Sequence, residues 1–351
     1  MAKSIEVKSE LHDWKDIREK IYPSGRKQWS LLIGNGASRA IWKNFQYPSL
    51  FEIACDPRRP GRLTERDQKL FHQLETANFE AVLSALMTSR VVNEILEEPT
   101  NVQREYYARI RDSLIQAVKE VHIPYKMVNE AVRKGVDEAI SEYQNVYSTN
   151  YDLLPCWASM TNPERFKDYF WGADNGFDLE NCEVRGEYAT VMHYLHGALH
   201  LCYTPSGRIY KKVGSLECGG LIDQFNMDDW SMPLFISEGE WKSKKSSILR
   251  NDYLAFCYQK FIQNQAHLVV FGHSLSDEFD KHIIQAIRQR CSGGYKGIVA
   301  VSIYPHAPEK DIAHEMTRLS RHFQGVELFF FDSTTHPLGD EKLTVRETLG
   351  W

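Results

Sequence analysis

Long hydrophobic runs are missing from this chain of 351 residues. No apolar stretch approaches the roughly 20 residues that cross a bilayer, so no membrane span is expected. Paired cysteines are missing too. The seven cysteines (Cys55, Cys156, Cys182, Cys202, Cys218, Cys257 and Cys291) are scattered, odd in number and never spaced Cys-x-x-Cys. That usage fits reduced thiols and removes zinc ribbons and disulfide scaffolds from consideration. Strong charge of one sign is also lacking. A net charge of −5 argues against a general nucleic-acid binder, although a local basic patch stays open. The first residues, polar and charged through Lys27, do not read as a secretory signal. What remains is ordinary for a globule with a sizeable core: 42% hydrophobic and 25% charged residues. These absences predict a soluble cytoplasmic protein.

The patterning predicts an α/β chain. Leu11, Trp14, Ile17 and Ile21 have helical spacing and suggest a lead-in helix over 10–24. Trp29 to Ile33 reads as a buried strand, with a helix following from Ala37 to Asn44. Residues 64–143 are almost wholly helical in pattern. Their apolar stripes are Phe79, Val82, Leu83 and Leu86; then Tyr107, Ile110, Leu114, Val118 and Val121; then Val128, Val132, Val136 and Ile140. Further strands are expected at 145–148 and 191–195, and near 233–236. A hairpin is expected from Leu199–Tyr203 and Arg208–Val213 around Pro205-Ser206-Gly207, and 160–190 reads as loop. The last third alternates: helix 247–263, strand 268–271, a helix from Asp277, strand 298–303, helix 308–322 and strand 326–331. Such alternation implies a Rossmann-like, doubly wound parallel sheet. One domain over 1–351, with 64–143 inserted as a large helical segment, fits this order better than two domains.

Four segments interrupt the pattern at strand ends. They are Gly34-Asn35-Gly36-Ala37-Ser38, Thr149-Asn150-Tyr151-Asp152, Leu195-His196-Gly197 and Phe271-Gly272-His273-Ser274-Leu275-Ser276-Asp277. In open α/β sheets, ligands bind just beyond the carboxyl ends of strands, where these segments fall. Gly34 and Gly36 let backbone N–H groups approach a pyrophosphate at a helix start. Arg39 stands where the dehydrogenase fingerprint needs another glycine, and no Gly-Lys-Ser/Thr ending makes a Walker loop. A tight structural turn is the alternative there.

Asn150 and Asp152 point the same way if the segment is extended. A carboxamide both donates and accepts, so Asn150 can hold a hydroxyl and a water. Equally, the pair can form a turn capping a helix that starts near Leu153. His196 can serve as a general base or as a hydrogen-bonded structural residue. His193 and His200 flank it, but in a strand His193 and His196 face opposite sides. No acid or cysteine lies at ligand spacing, so no metal is expected. Ser274 or Ser276 can bind phosphate or ribose, while Ser276 and Asp277 are equally natural N-caps. The run Lys242, Lys244 and Lys245 reads as a solvated face.

Together the four segments resemble the sirtuin-like family of NAD-binding proteins. The likeness lies in the order of a glycine turn with Ser38, Thr149-Asn150-x-Asp152, His196-Gly197 and Gly272-x-Ser274-Leu275. The run Pro233-Leu234-Phe235-Ile236-Ser237-Glu238-Gly239, followed by Tyr253-Leu254, looks like a bacterial branch known only as a domain of unknown function. The resemblance implies NAD as substrate. Gly34, Gly36 and Ser38 would hold the pyrophosphate side, Gly272 and Ser274 would lie near the adenosine end, and Asn35 and Thr149 would also line the cofactor site. Asn150 and His196 would be catalytic, with Asp152 stabilising positive charge or supporting Asn150. Relatives with a similar core imply NAD hydrolysis in anti-phage defence. They also imply regulation through a homo-oligomer or a ring ATPase partner, and no direct contact with nucleic acid. The cysteine module of protein deacylases is missing, and Arg39-Ala40-Ile41-Trp42 replaces their Pro-Asp-Phe-Arg, so a deacylase ranks third. Before it stand a non-catalytic NAD or ADP-ribose sensor and a structural subunit of a defence complex.

Overall fold

A computed structural model describes residues 11–21, 29–43, 45, 50–59, 61–171, 174–183, 189–204, 206–212, 232–236, 240–294 and 297–346. Parts of the expected segments, at 10, 22–24, 44, 172–173, 184–188, 205, 213 and 237–239, lie outside these residues.

The strands are β1 (Trp29–Ile33), β2 (Asn145–Ser148), β3 (Phe166–Lys167), β4 (Thr190–Tyr194), β5 (Gly197–Tyr203), β6 (Ile209–Lys211), β7 (Met232–Phe235), β8 (His267–Phe271), β9 (Ile298–Ile303) and β10 (Glu327–Asp332). Seven of them form a parallel sheet in the order β10-β9-β8-β1-β2-β4-β3. β1 is buried at every position because it lies centrally, with parallel neighbours on both sides, which is why it reads as an unbroken apolar run. The first strands wind outward from β1 toward the β3 edge. The chain then returns to β8 beside β1 and winds the other way to β10. The architecture is Rossmann-like α/β, and its winding reverses between β1 and β8. A small antiparallel sheet, β6-β5-β7, includes the expected hairpin.

Among the described residues six α-helices lie between β1 and β2: Asn35–Ile41, Leu50–Cys55, Glu65–Gln73, Phe79–Ile95, Asn101–Val121 and Glu130–Ser141. Local chemistry starts several of them. Thr64 and Asp67 form a reciprocal capping box. The Asn129 side chain accepts from the Val132 N–H at 2.9 Å. Asp67 is fully buried and takes the Arg109 guanidinium at 2.8 Å, tying two of these helices together.

The three stripes turn inward. Phe79, Val82 and Leu83 are buried, Leu86 is half-buried, and Tyr107, Ile110, Leu114, Val118, Val121, Val128, Val132, Val136 and Ile140 are all buried. Each such side chain contributes about 1.5–3 kcal/mol of burial. Leu114 and Val118 are thus core residues. The apolar surface left over is Val91, Val92, Ile95, Leu96 and Val102, near the turn between the two longest helices.

Other expectations shift for local reasons. Within 160–190, Phe166–Lys167 forms an edge strand too short to show a period. The helix expected over 247–263 is two, Trp241–Leu249 and Asp252–Gln263, because Asn251 accepts from the Leu254 N–H and starts the second. The helix after β1 begins at Asn35, two residues early. The helix after β8 begins at Lys281 rather than Asp277. Before it, Ser276 Oγ accepts from the Glu278 and Phe279 N–H groups, while Arg318 donates to the Ser274 and Leu275 carbonyls at 2.8 Å. Neither Ser276 nor Asp277 therefore caps that helix. Among the described residues no helix is long and apolar enough to cross a membrane.

Candidate functional site

The winding reversal places the exits of β1 and β8 side by side. Gly34 N–H donates to the Phe271 carbonyl at 2.9 Å, and Gly36 N–H to the Gly272 carbonyl at 2.6 Å. A Cβ on Gly34 would sit 2.5 Å from His273 Cα, and one on Gly36 2.7 Å from Gly272 Cα. Gly272 also has φ +65°. These glycines close two turns on each other, so the turn–turn contact alone requires them. At their edge, Asn35 Oδ1 is buried without a partner among the described residues.

β2 ends beside β1, and Thr149 stitches them: its N–H and hydroxyl both donate to the Ile33 carbonyl at 3.1 Å. Asn150, buried, donates from Nδ2 to the Gly34 carbonyl at 3.0 Å and to Ser38 Oγ at 2.9 Å. Because a carbonyl can only accept, the nitrogen must face Gly34. Both amide hydrogens are engaged, which leaves Oδ1 as the atom that can hold a hydroxyl or a water. Asn150 therefore acts as an acceptor here, not as donor and acceptor together.

Ser38 Oγ donates onward to Asp152 Oδ2 at 2.5 Å, and Leu154 N–H to Asp152 Oδ1 at 2.9 Å. Burial pushes the Asp152 carboxyl above its usual range, against the opposing effects of nearby His122 and these two donors. His122 is buried and shifted down by the same desolvation. It accepts from Leu153 N–H on Nε2, so it is the tautomer that donates from Nδ1 to the Ile123 carbonyl. Asp152 is fully enclosed and acts on Ser38 and the helix Leu154–Ser159.

The third exit is a corner. The chain leaves β4 at Tyr194 and enters β5 of the small sheet at Gly197, with His196 between. Gly197 has φ +72°, and a Cβ there would run into the Leu234 carbonyl, so only glycine makes this corner. His196 is 3% exposed, and its Nε2 lies 2.8 Å from Nε2 of His282. The Thr149 backbone partly opposes the lowering of the His196 pKa. Burial, then the neighbouring His282 and Lys244, hold His196 well below its usual pKa, so it is neutral near pH 7. His282 is lowered to about 3, mainly by burial.

Lys244 is buried, not part of a solvated face, and pairs with Asp280 at 3.2 Å. His196, Asp280 and His282 bring ligand-type atoms within 4.8 Å of one another. The two rings, however, meet end to end. Their centres are 5.1 Å apart and their planes 27° from parallel, so both nitrogens lie near the line joining the centres. That is hydrogen-bond geometry rather than two lone pairs converging on one ion, and Lys244 already offsets the Asp280 charge.

Of the residues singled out from sequence, Gly34, Ser38, Asn150 and Asp152 thus form one bonded cluster. Thr149 bonds the Ile33 carbonyl beside it, and Gly272 packs against its glycines. Ser274 is exposed and stands apart, its carbonyl held by Arg318. Sequence reasoning missed His122, Lys244, Asp280 and His282. His196 and His282 are 86 residues apart, so no local spacing signals their contact. The Asp280-Lys281-His282 start of a helix just beyond a glycine turn was the available clue.

A parallel sheet wound both ways from β1, with polar side chains from three strand ends gathered at the reversal, defines a Rossmann-like α/β protein. Its cluster occupies the position where such sheets take ligands. The chain belongs to the DUF4917 family, a domain of unknown function whose model matches residues 31–338. No curated protein matches the chain.

Proposed function

We propose that this protein is an NAD hydrolase that cleaves the nicotinamide–ribose bond to give nicotinamide and ADP-ribose. The observation that carries the reading is the interlocked Ser38–Asn150–Asp152 set at the β1 and β2 exits, with His196 one strand away. A dinucleotide suits the donor and acceptor set. The unpartnered Asn35 Oδ1 and the acceptor Asn150 Oδ1 match ribose hydroxyls, and the turns around Gly34, Gly36 and Gly272 leave room for little beyond backbone at the crevice floor. NAD supplies the scissile glycosidic bond and a stable leaving group.

The chain's residues divide the remaining work. Asn150, fixed by two hydrogen bonds, orients a ribose hydroxyl or the attacking water through Oδ1. His196, kept neutral by burial, accepts a proton. Bond cleavage builds positive charge on the ribose, as in glycoside hydrolysis. Enclosed Asp152 supports this indirectly, by orienting Ser38 and through it Asn150. Gly272 and Ser274 lie toward the adenosine end.

A non-catalytic sensor of NAD or ADP-ribose is the second reading. It is favoured by the fact that Ser38, Asn150 and Asp152 already satisfy one another. Nicotinamide release from NAD separates the two, since a sensor binds NAD and releases none. A role in anti-phage defence by NAD depletion, and assembly as a homo-oligomer or with a ring ATPase, belong to the same proposal. The exposed group around Ile95 and Leu96 offers apolar surface for assembly. Light scattering at falling concentration tests that part.

A further inference from the structure

We propose that His282 is a latch on His196: its ring N–H occupies the lone pair with which His196 would take a proton from substrate. The assignment rests on which nitrogen can carry hydrogen. Two neutral imidazoles joined at 2.8 Å need one N–H and one lone pair. His282 Nδ1 is buried without a partner among the described residues, and a buried N–H left without an acceptor is rarer than a bare lone pair, so the His282 proton sits on Nε2. His282 Nε2–H is then the donor and His196 Nε2 the acceptor.

The far side of His282 decides between a latch and a proton relay. In this tautomer its Nδ1 is a bare lone pair, buried and without a partner among the described residues. A relay needs a bonded neighbour there to exchange a proton with, and among the described residues there is none; the nearby Asp280 carboxylate is held by Lys244. An unsatisfied buried acceptor is also destabilising, so the contact is held rather than ideal. The backbone around it is firmly placed. Tyr258 O–H donates to the His282 carbonyl at 2.8 Å, and Asp280 is held by Lys244. These bonds hold the backbone, whereas the fully buried ring is held by its packing and its bond to His196. A substrate hydroxyl that replaces His282 at His196 Nε2 releases the latch, which gives a low resting rate.

The consequence for turnover rests on the NAD-hydrolase reading; the contact itself does not. The test compares wild type with His282→Leu and His282→Gln, each checked for a cooperative thermal transition. Histidine ¹⁵N NMR reports the His196–His282 bond, and nicotinamide release from NAD reports turnover. In wild type, His196 Nε2 is expected as an unprotonated acceptor coupled to a protonated His282 Nε2. His282→Leu frees that nitrogen and raises turnover roughly tenfold, the worth of one hydrogen bond. His282→Gln, which again presents an N–H, returns the rate toward wild type. Should Leu unfold the chain, His282→Met takes its place.

A folded Leu or Met variant with a rate equal to or below wild type overturns the latch. So does a spectrum with no bond between the rings. If the bond is present and its loss frees His196, yet no protein releases nicotinamide, the latch stands as a contact and only the NAD reading fails.

Discussion

Acidification should unfold this protein well above the pH at which carboxylates titrate, and the cause is its buried histidines. His193, His200, His282 and His336 are each lowered to about 3 from an ordinary 6.5, chiefly by burial. His122, His196 and His273 move the same way. A histidine kept neutral in the fold takes up its proton only on unfolding. Its contribution is therefore complete above 6.5 and is lost as pH falls from 6.5 toward about 3. Well below 6.5, each such group removes about 1.4 kcal/mol per pH unit. Four together remove about 5 kcal/mol per unit, against a typical total stability of about 5–15 kcal/mol. Asp152, with its raised value, works the other way: its contribution is gained as pH falls from that raised value and is complete below the ordinary 3.8, which offsets the loss from at most one histidine. Tryptophan fluorescence and far-UV circular dichroism should thus show cooperative unfolding near pH 5. His336 accepts from Leu338 N–H on Nδ1 and bonds the Tyr143 hydroxyl through Nε2, so it has no free nitrogen for a proton. His336→Gln should lower stability at pH 7.5 but flatten the loss by about one proton. Melting temperatures that match at pH 7.5 and 5.5 would refute the reasoning.

Two further substitutions test the frame around the site. Gly272→Ala meets both a left-handed φ and the backbone of Gly36 and Ala37, so it should cost about 2–4 kcal/mol. Gly293→Ala, with φ +70° but open space, should cost only about 1 kcal/mol, and equal denaturant midpoints for the two would contradict the turn–turn contact. Lys244→Met removes the cation that pairs with half-buried Asp280, at about 1–3 kcal/mol. The same change at exposed Lys242 should stay within about 0.5 kcal/mol, and a reversed order would return Lys244 to the solvated face.

Strands such as Leu31–Ile33 and Val299–Val301 were legible because central parallel strands are apolar on both faces and are bounded by glycine or polar residues. The helical stripes were legible because 3.6-residue spacing survives any packing partner. Three things were not. Phe166–Lys167 is a strand only because β4 offers an edge. Lys244 looks like its exposed neighbours until Asp280, 36 residues away, meets it. Asn150 and His196 stand where chain order puts them, just beyond β2 and β4, whereas the contacts they make depend on packing. His122, His282 and the inward use of the Leu114–Val118 stripe are tertiary facts. The glycine turn was identified correctly, but its glycines are explained first by the approach of Gly272.

The central claim is that the β1–β2 crevice cleaves NAD through Asn150, and nicotinamide release by wild type beside folded Asn150→Ala tests it most directly. The account predicts release by wild type and a loss of roughly two to four orders of magnitude in the variant, as befits removal of a transition-state contact. Release at the same rate from both proteins, or none from wild type that demonstrably binds NAD, would contradict it.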